Sequence, residues 1–207
     1  MIKLKYYINR LMTDSSVFVC IGANDGIFVE EMYHSNLINP KWQSFFLEPV
    51  YSTFEKLISN YTRLFPDNNF KFINKAIHNY SGKGYLSTSV ADDSMAMFSF
   101  FRPNGPGSVS VEVDCITFKD LISEYNIGHI DLLKIDTEGM DYEIVVQCLN
   151  NNINPKIILL ECIPLLNTVS SYDDMLESIK EKYIIIKDVP EYQYEEANLL
   201  LINNQYV

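Results

Sequence analysis

FVCIGANDGIF, residues 18–28, runs from an apolar stretch straight into a turn built of Gly22, Ala23, Asn24, Asp25 and Gly26. The apolar half, extended back to Val17, has the length and bulk of a strand buried on both faces, the kind that belongs to a parallel sheet. In an open α/β sheet the ligand sits beyond the carboxyl end of such a strand, where the chain passes to its helix. A P-loop would close on Gly-Lys-Ser/Thr, so that amides and an ammonium embrace phosphates, and a dinucleotide fold would use G-x-G-x-x-G against a pyrophosphate. Neither pattern is present. The turn holds G-x-x-x-G with Asp25 inside it and no cation nearby in sequence, which suits a ligand of little negative charge or of some positive charge.

Working outward, similar apolar runs recur at SFFLE (44–48), FKFINKA (70–76), IDLLKID (130–136) and KIILLEC (156–162). Between them, apolar residues repeat at helical spacing over 50–61, 117–125 and 141–151, and again over 171–183 through Tyr172, Met175, Leu176, Ile179 and Tyr183. Leu4, Tyr7, Ile8 and Leu11 predict an amphipathic N-terminal helix within residues 1–14. Strand and helix therefore alternate, which builds right-handed βαβ units in a doubly wound α/β sandwich. YIIIKDV (183–189) and NLLLINN (198–204), joined by a polar segment, read as a hairpin. The expected architecture is one domain over 1–207, with a mostly parallel seven-stranded sheet and an antiparallel C-terminal hairpin. Residues 87–108 break the alternation and carry Pro and Gly near their end. A long irregular segment of this kind is expected to be a substrate loop or lid, and Phe98, Phe100 and Phe101 within it can close over a substrate.

Composition narrows the function. The 207 residues are 47% hydrophobic and 21% charged, ordinary for a soluble globular chain, and carry a net charge of −11. That charge argues against a nucleic-acid partner, since such affinity rests on Lys and Arg neutralising phosphates. Cys20, Cys115, Cys148 and Cys162 form no C-x-x-C pair, so neither zinc nor a disulfide framework is expected. The N-terminus lacks the apolar core and cleavage site of a secretory signal, and no apolar stretch approaches roughly 18 residues; a cytoplasmic protein without a membrane span is expected.

Glu48 ends the second run, 22 residues after Gly26. A carboxylate at that strand tip can accept hydrogen bonds from both hydroxyls of a ribose. A nucleoside without pyrophosphate, held among carboxylates, fits S-adenosylmethionine, whose sulfonium is a cation and whose carboxylate can use amides at a helix start. Asn74 and Ala76 end the third run, where the adenine would lie. In LLKIDTEGMDYE (132–143), Lys134, Asp136 and Glu138 alternate at the end of a buried strand before Gly139 opens the next turn, and Glu161 ends the adjacent run. Charges at the end of a core strand imply a use for them. Methyl transfer to oxygen needs an aligned nucleophile and a base, so Asp136, Glu138 and Glu161 are the expected catalytic set, with Asp136 also able to hold the methionyl amino group. Hard cations prefer oxygen ligands, yet the reading without a metal is preferred. His129 is expected on the surface at the amino end of the sheet, and His78 nearer the crevice.

FVCIGANDG, LEPVYSTFEKL, NKAI with SGKG, VEVDCITFKDLI, IDLLKIDTEGMDYEIV and IILLEC together resemble the FkbM family of S-adenosylmethionine-dependent methyltransferases, over roughly residues 17–163. K-I-D-x-E-G is the most specific part. The resemblance implies a Rossmann-like class I fold and O-methylation of a sugar or another small hydroxylated metabolite. Family members commonly carry Asp where Cys20 stands and Ala-Glu where Met140 and Asp141 stand. Three rivals are a nucleic-acid methylase, a nicotinamide-dependent oxidoreductase and a nucleoside-binding protein that has lost catalysis. The first would carry N/D-P-P-Y/F where DTEG stands, and the second a third glycine and a proton relay.

Overall fold

Val17, Val19 and Ile21 point to one side of their strand, Phe18 and Cys20 to the other, and all five are buried. That double burial requires a layer of helices on each face. The computed structural model describes residues 2–28, 30–88, 99–100, 108–162, 170–187 and 197–207. In chain order its elements are α1 (Ile2–Leu11), β1 (Val17–Ile21), α2 (Glu31–His34), β2 (Gln43–Leu47), α3 (Tyr51–Leu64), β3 (Phe70–Ile73), β4 (Ala76–Ile77), β5 (Gly82–Thr88), β6 (Val109–Ile116) and α4 (Phe118–Glu124). There follow β7 (Leu132–Ile135), α5 (Asp141–Asn150), β8 (Ile157–Cys162), α6 (Tyr172–Ile179), β9 (Tyr183–Lys187) and β10 (Ala197–Asn203).

Seven strands form one sheet in the order β3-β2-β1-β7-β8-β10-β9, in which β10 runs antiparallel to both neighbours and the pairings from β3 through β8 are parallel. The expected seven strands and their C-terminal hairpin are all present. Helices α1 to α3 cover one face through Leu4, Ile8, Met32, Leu57 and Tyr61. On the other face, α4 to α6 pack through Phe118, Leu121, Ile144, Val145, Cys148, Met175 and Ile179. Because the chain leaves β1 outward to β2 and β3 and returns on the other side to β7, the carboxyl ends of β1 and β7 flank the switch point where a crevice opens.

One departure matters for the site. The third strand stops at Ile73 instead of running to Ala76, and Ala76 begins a second sheet of order β4-β6-β5. Leu86, Val113 and Cys115 of that sheet pack with Val50 and Ala76 beside the crevice. Of the expected lid, only 87–88, 99–100 and 108 are described, so Phe98 and Phe101 lie outside the described residues. Among these residues no helix is long and apolar enough to cross a membrane.

The opposite, amino end of the sheet is tied by Asp131. Its carboxylate accepts from the Val17 amide at 2.8 Å and pairs with Lys156 at 2.8 Å, while its backbone bridges β1 and β8. His129 lies there too, with an exposed side chain 3.4 Å from Asp131. Asp131→Ala would leave a buried amide and a half-buried ammonium without their partner, and should destabilise the fold by roughly 2 to 3 kcal/mol. Ligand affinity at the crevice should not change, a combination that denaturant unfolding and calorimetry together would check.

Candidate active site

The turn after β1 is shaped by contacts that only particular residues allow. Gly22 has φ +79°, and a Cβ there would collide with the backbone carbonyl of Asp136. Gly26, at φ +77°, lies against the Tyr61 ring, which an added Cβ would strike. Between them, the amides of Gly22 and Ala23 both donate to Leu47 O, at 3.0 and 2.9 Å. Asp25 turns back on its own chain, its Oδ1 accepting from the Ile27 and Phe28 amides at 2.9 and 2.8 Å. Asparagine tolerates the left-handed conformation better than most residues, and Asn24 adopts it at φ +49°.

Glu48 follows β2 and is only 7% exposed. Its Oε2 accepts from the Asn24 amide at 3.0 Å and its Oε1 from the Val50 amide at 2.9 Å, so one carboxylate joins the two turns. A carboxylate offers about four acceptor positions, and two are left for a ligand. Burial pushes this carboxyl up to about 7, against the pull of the two amides and with help from Asp136 and Asp25.

Beyond β7 the backbone of Asp136 still pairs, its amide donating to Ile21 O at 3.0 Å. The chain then turns sharply, with Glu138 at φ +55° and Gly139 at +131°. Asp141, 1% exposed, holds that turn by accepting from the Thr137 and Gly139 amides at 3.0 Å each. Burial pushes its carboxyl up to about 6 despite those two bonds. Ser99 Oγ donates to Glu138 O at 2.6 Å, fastening the small sheet's side of the molecule to the same turn.

Asp136, Glu138 and Glu161 each bring a carboxylate oxygen within 4.8 Å of the others. Burial first, then the Asp136 carboxylate, raises the Glu161 carboxyl well above the usual carboxylate range, and the cluster concentrates negative charge that can grip a cation. A cleft of about 840 Å³, its open mouth included, spans all of these groups. Gly22, Asn24, Glu48, Asp136, Glu138 and Glu161 provide its polar side, and Pro49, Val50, Ala76, Ile77, Leu86, Phe100 and Met140 its apolar one. Buried acceptors beside an apolar wall, with negative charge opposite, fit a nucleoside bearing a positive sulfonium.

The structure thus gathers Gly22, Asn24, Glu48, Ala76, Asp136, Glu138 and Glu161, all expected from the sequence. Ala23, Asp25, Gly26 and Asn74 are not among the lining residues: Ala23 is buried in the core, and the Asn74 amide nitrogen donates to Glu48 O and Pro49 O at 2.8 and 2.9 Å. Cys20 is fully buried and its thiol donates to Glu30 Oε2 at 3.5 Å, so the position does not line the cleft. His78 packs against Phe100 at 4.6 Å, behind the apolar wall. Sequence reasoning missed most of that wall, including Ile77 and Leu86 of the small sheet; the period-two alternation of VSVEVDCI (109–116), the strand between β4 and β5, is the signal for that sheet.

Comparison with known proteins supplies a family. The methyltransferase FkbM domain matches residues 21–186. Among curated protein sequences none matches at a significant level. Solved structures share the fold at low identity. A Clostridium thermocellum protein described as an rRNA methylase superposes with TM-score 0.53 at 10% identity, covering 97% of this chain and 93% of its own. The METTL16 methyltransferase domain gives 0.54 at 9%, covering 97% and 66%. A Streptococcus pneumoniae protein described as a tRNA (m1A22) methyltransferase gives 0.50 at 9%, covering 97% and 68%.

Proposed function

The chain belongs to the FkbM methyltransferase family, and from that premise we propose that it transfers a methyl group to a hydroxyl oxygen of a sugar or another small hydroxylated metabolite. Its methyl donor is S-adenosylmethionine, which supplies, when bound, a methyl carbon activated by a positive sulfonium. The observation that carries the reading is the carboxylate cluster of Asp136, Glu138 and Glu161, drawn within 4.8 Å and opening into the cleft that Glu48 enters from the other side.

Each residue has a role in this reading. Gly22 and Asn24 let backbone come close to the donor, and Glu48 accepts the ribose hydroxyls with the lone pairs its two amides leave open. Ala76 borders the base. Asp136 takes the methionyl amino group, and Glu138 receives the proton of the acceptor hydroxyl as the new C–O bond forms. Glu161 closes the cluster beside Asp136. The apolar side, from Ile77 through Leu86 to Phe100, excludes water from the acceptor. The net charge of −11 and the absence of N/D-P-P-Y/F at DTEG favour a hydroxylated small molecule over RNA or DNA.

The test is a screen of hydroxylated sugars and related metabolites beside tRNA and rRNA fragments, reading conversion of S-adenosylmethionine to S-adenosylhomocysteine. Turnover with a neutral polyol is the expected result. Turnover with RNA alone would replace the reading by the nucleic-acid one, and donor binding with no turnover on any acceptor would favour a protein that only binds. For an accepted substrate, Glu138→Gln should lower kcat roughly a hundredfold, since a positioned base contributes on the order of 10² to 10⁴, with donor affinity retained.

A further inference from the structure

Lys134 occupies a position that a core strand seldom grants a charge. It sits in β7 beside Cys20 of β1, on the face covered by α1 to α3, and its side chain is 3% exposed. It does not line the cleft. Three carboxylates surround its ammonium: Asp136 Oδ2 at 3.1 Å, Glu31 Oε2 at 3.4 Å and Glu30 Oε2 at 3.6 Å. Glu30 is as deeply buried as the lysine, and its other oxygen, Oε1, accepts from the Met32 amide at 2.9 Å. A buried ion pair seldom adds net stability against an apolar pair of the same size, so its presence asks for another use. Of the three partners, Asp136 alone faces the cleft.

We infer that Lys134 is a positioning residue of the methyl-donor site, whose ammonium holds the Asp136 carboxylate from beneath through Oδ2 and aims Oδ1 into the cleft, with Glu30 balancing the buried charge. This rests on the reading of Asp136 as a donor contact. Asp136 stands between two influences of opposite effect. From above, the carboxyl groups of Glu138 and Glu161 crowd it; from below, Lys134 attracts its charge and fixes its direction through a charge-assisted hydrogen bond. Without the ammonium, the Asp136 carboxylate, already hydrogen-bonded to Glu161, would lose the contact that holds it from the other side, and a cationic amino group would lose a fixed acceptor.

Lys134→Met alone would also leave Glu30 buried without its cation and lose stability for that reason. The informative variant is therefore Lys134→Met with Glu30→Gln, which removes both charges of the pair. Its melting temperature should recover toward the wild-type value, while Kd for S-adenosylmethionine, read by calorimetry, stays at least about tenfold raised, a loss of about 1.4 kcal/mol. Asp131→Ala, destabilised at the far end of the sheet, serves as the control and should bind normally. If the double variant binds S-adenosylmethionine with wild-type affinity, the lysine is only structural and the inference is overturned. Asp136→Asn separates the two levels: weakened binding there with normal binding in the double variant defeats this inference alone, whereas unchanged binding in Asp136→Asn defeats the underlying reading of the site.

Discussion

Glu48→Ala should weaken S-adenosylmethionine binding roughly a thousandfold. Hydrogen bonds to a charged group contribute about 1.5 to 3 kcal/mol each, the variant removes two of them to the ribose, and each 1.4 kcal/mol is tenfold. Glu48→Gln keeps the shape and separates loss of charge from collapse of the turns that the Asn24 and Val50 amides hold together. The carboxyl's position near pH 7 adds a second signature. Because the ionised form accepts both hydroxyls, Kd should fall as pH rises through about 7 and then level off, and Glu48→Gln should flatten that profile. Fold stability should move the other way. The group binds its proton more tightly in the folded chain than in the unfolded one, from 4.5 to about 7. Its stabilising contribution is complete below about 4.5 and lost as pH climbs through about 7, on the order of 3 kcal/mol in all. Asp141 acts in the same sense between 3.8 and about 6. Calorimetric titration with S-adenosylhomocysteine and thermal melts of the ligand-free protein, both from pH 5 to 8, would read the opposed slopes, and a flat affinity profile would remove Glu48 from the site.

Gly22→Ala should be strongly destabilising for the addition of a single methyl. A left-handed backbone costs an L-residue about 1 to 2 kcal/mol, and here the added carbon meets a main-chain oxygen that no rotamer change can move away. Either β1 and β7 part at their carboxyl ends or the turn is rebuilt; the expected loss is about 3 to 5 kcal/mol, near 10 °C in melting temperature for a chain of this size, together with loss of donor binding. Gly82→Ala is the comparison. That glycine also has a positive φ, +143°, but nothing lies within 4 Å of the added carbon, so only the conformational cost applies. Similar melting temperatures for the two variants would show that the close approach to Asp136 is not what demands glycine at 22.

The fold was legible where burial imposes a period. Strands enclosed on both faces leave unbroken apolar runs, and the helices between them repeat every three to four residues, so the seven-stranded sheet could be placed from composition and spacing. The small sheet escaped because its rules are weaker. Strand β4 has two residues, and β5 is an edge written GKGYLST with two glycines. In the site, Glu48, Asp136 and Gly22 stood out because each ends a strand or opens a turn. Asn74 and Asp25 looked equivalent in the sequence, yet both side chains bond to neighbouring backbone, a choice set by local geometry that spacing does not encode. Lys134 was visible beside Asp136, but its depth was not: the alternation places its ammonium on that side of the strand, and only the packing of Glu30 and Glu31 over it reveals a sealed pair.

Strand order also governs when this protein can be assembled during its synthesis. Strand β10 is made after β9, yet it lies between β8 and β9. A nascent polypeptide emerging from the ribosome therefore exposes the apolar flank of β8 until β10 clears the exit tunnel. A chain made as far as β9 is therefore the form most in need of a chaperone.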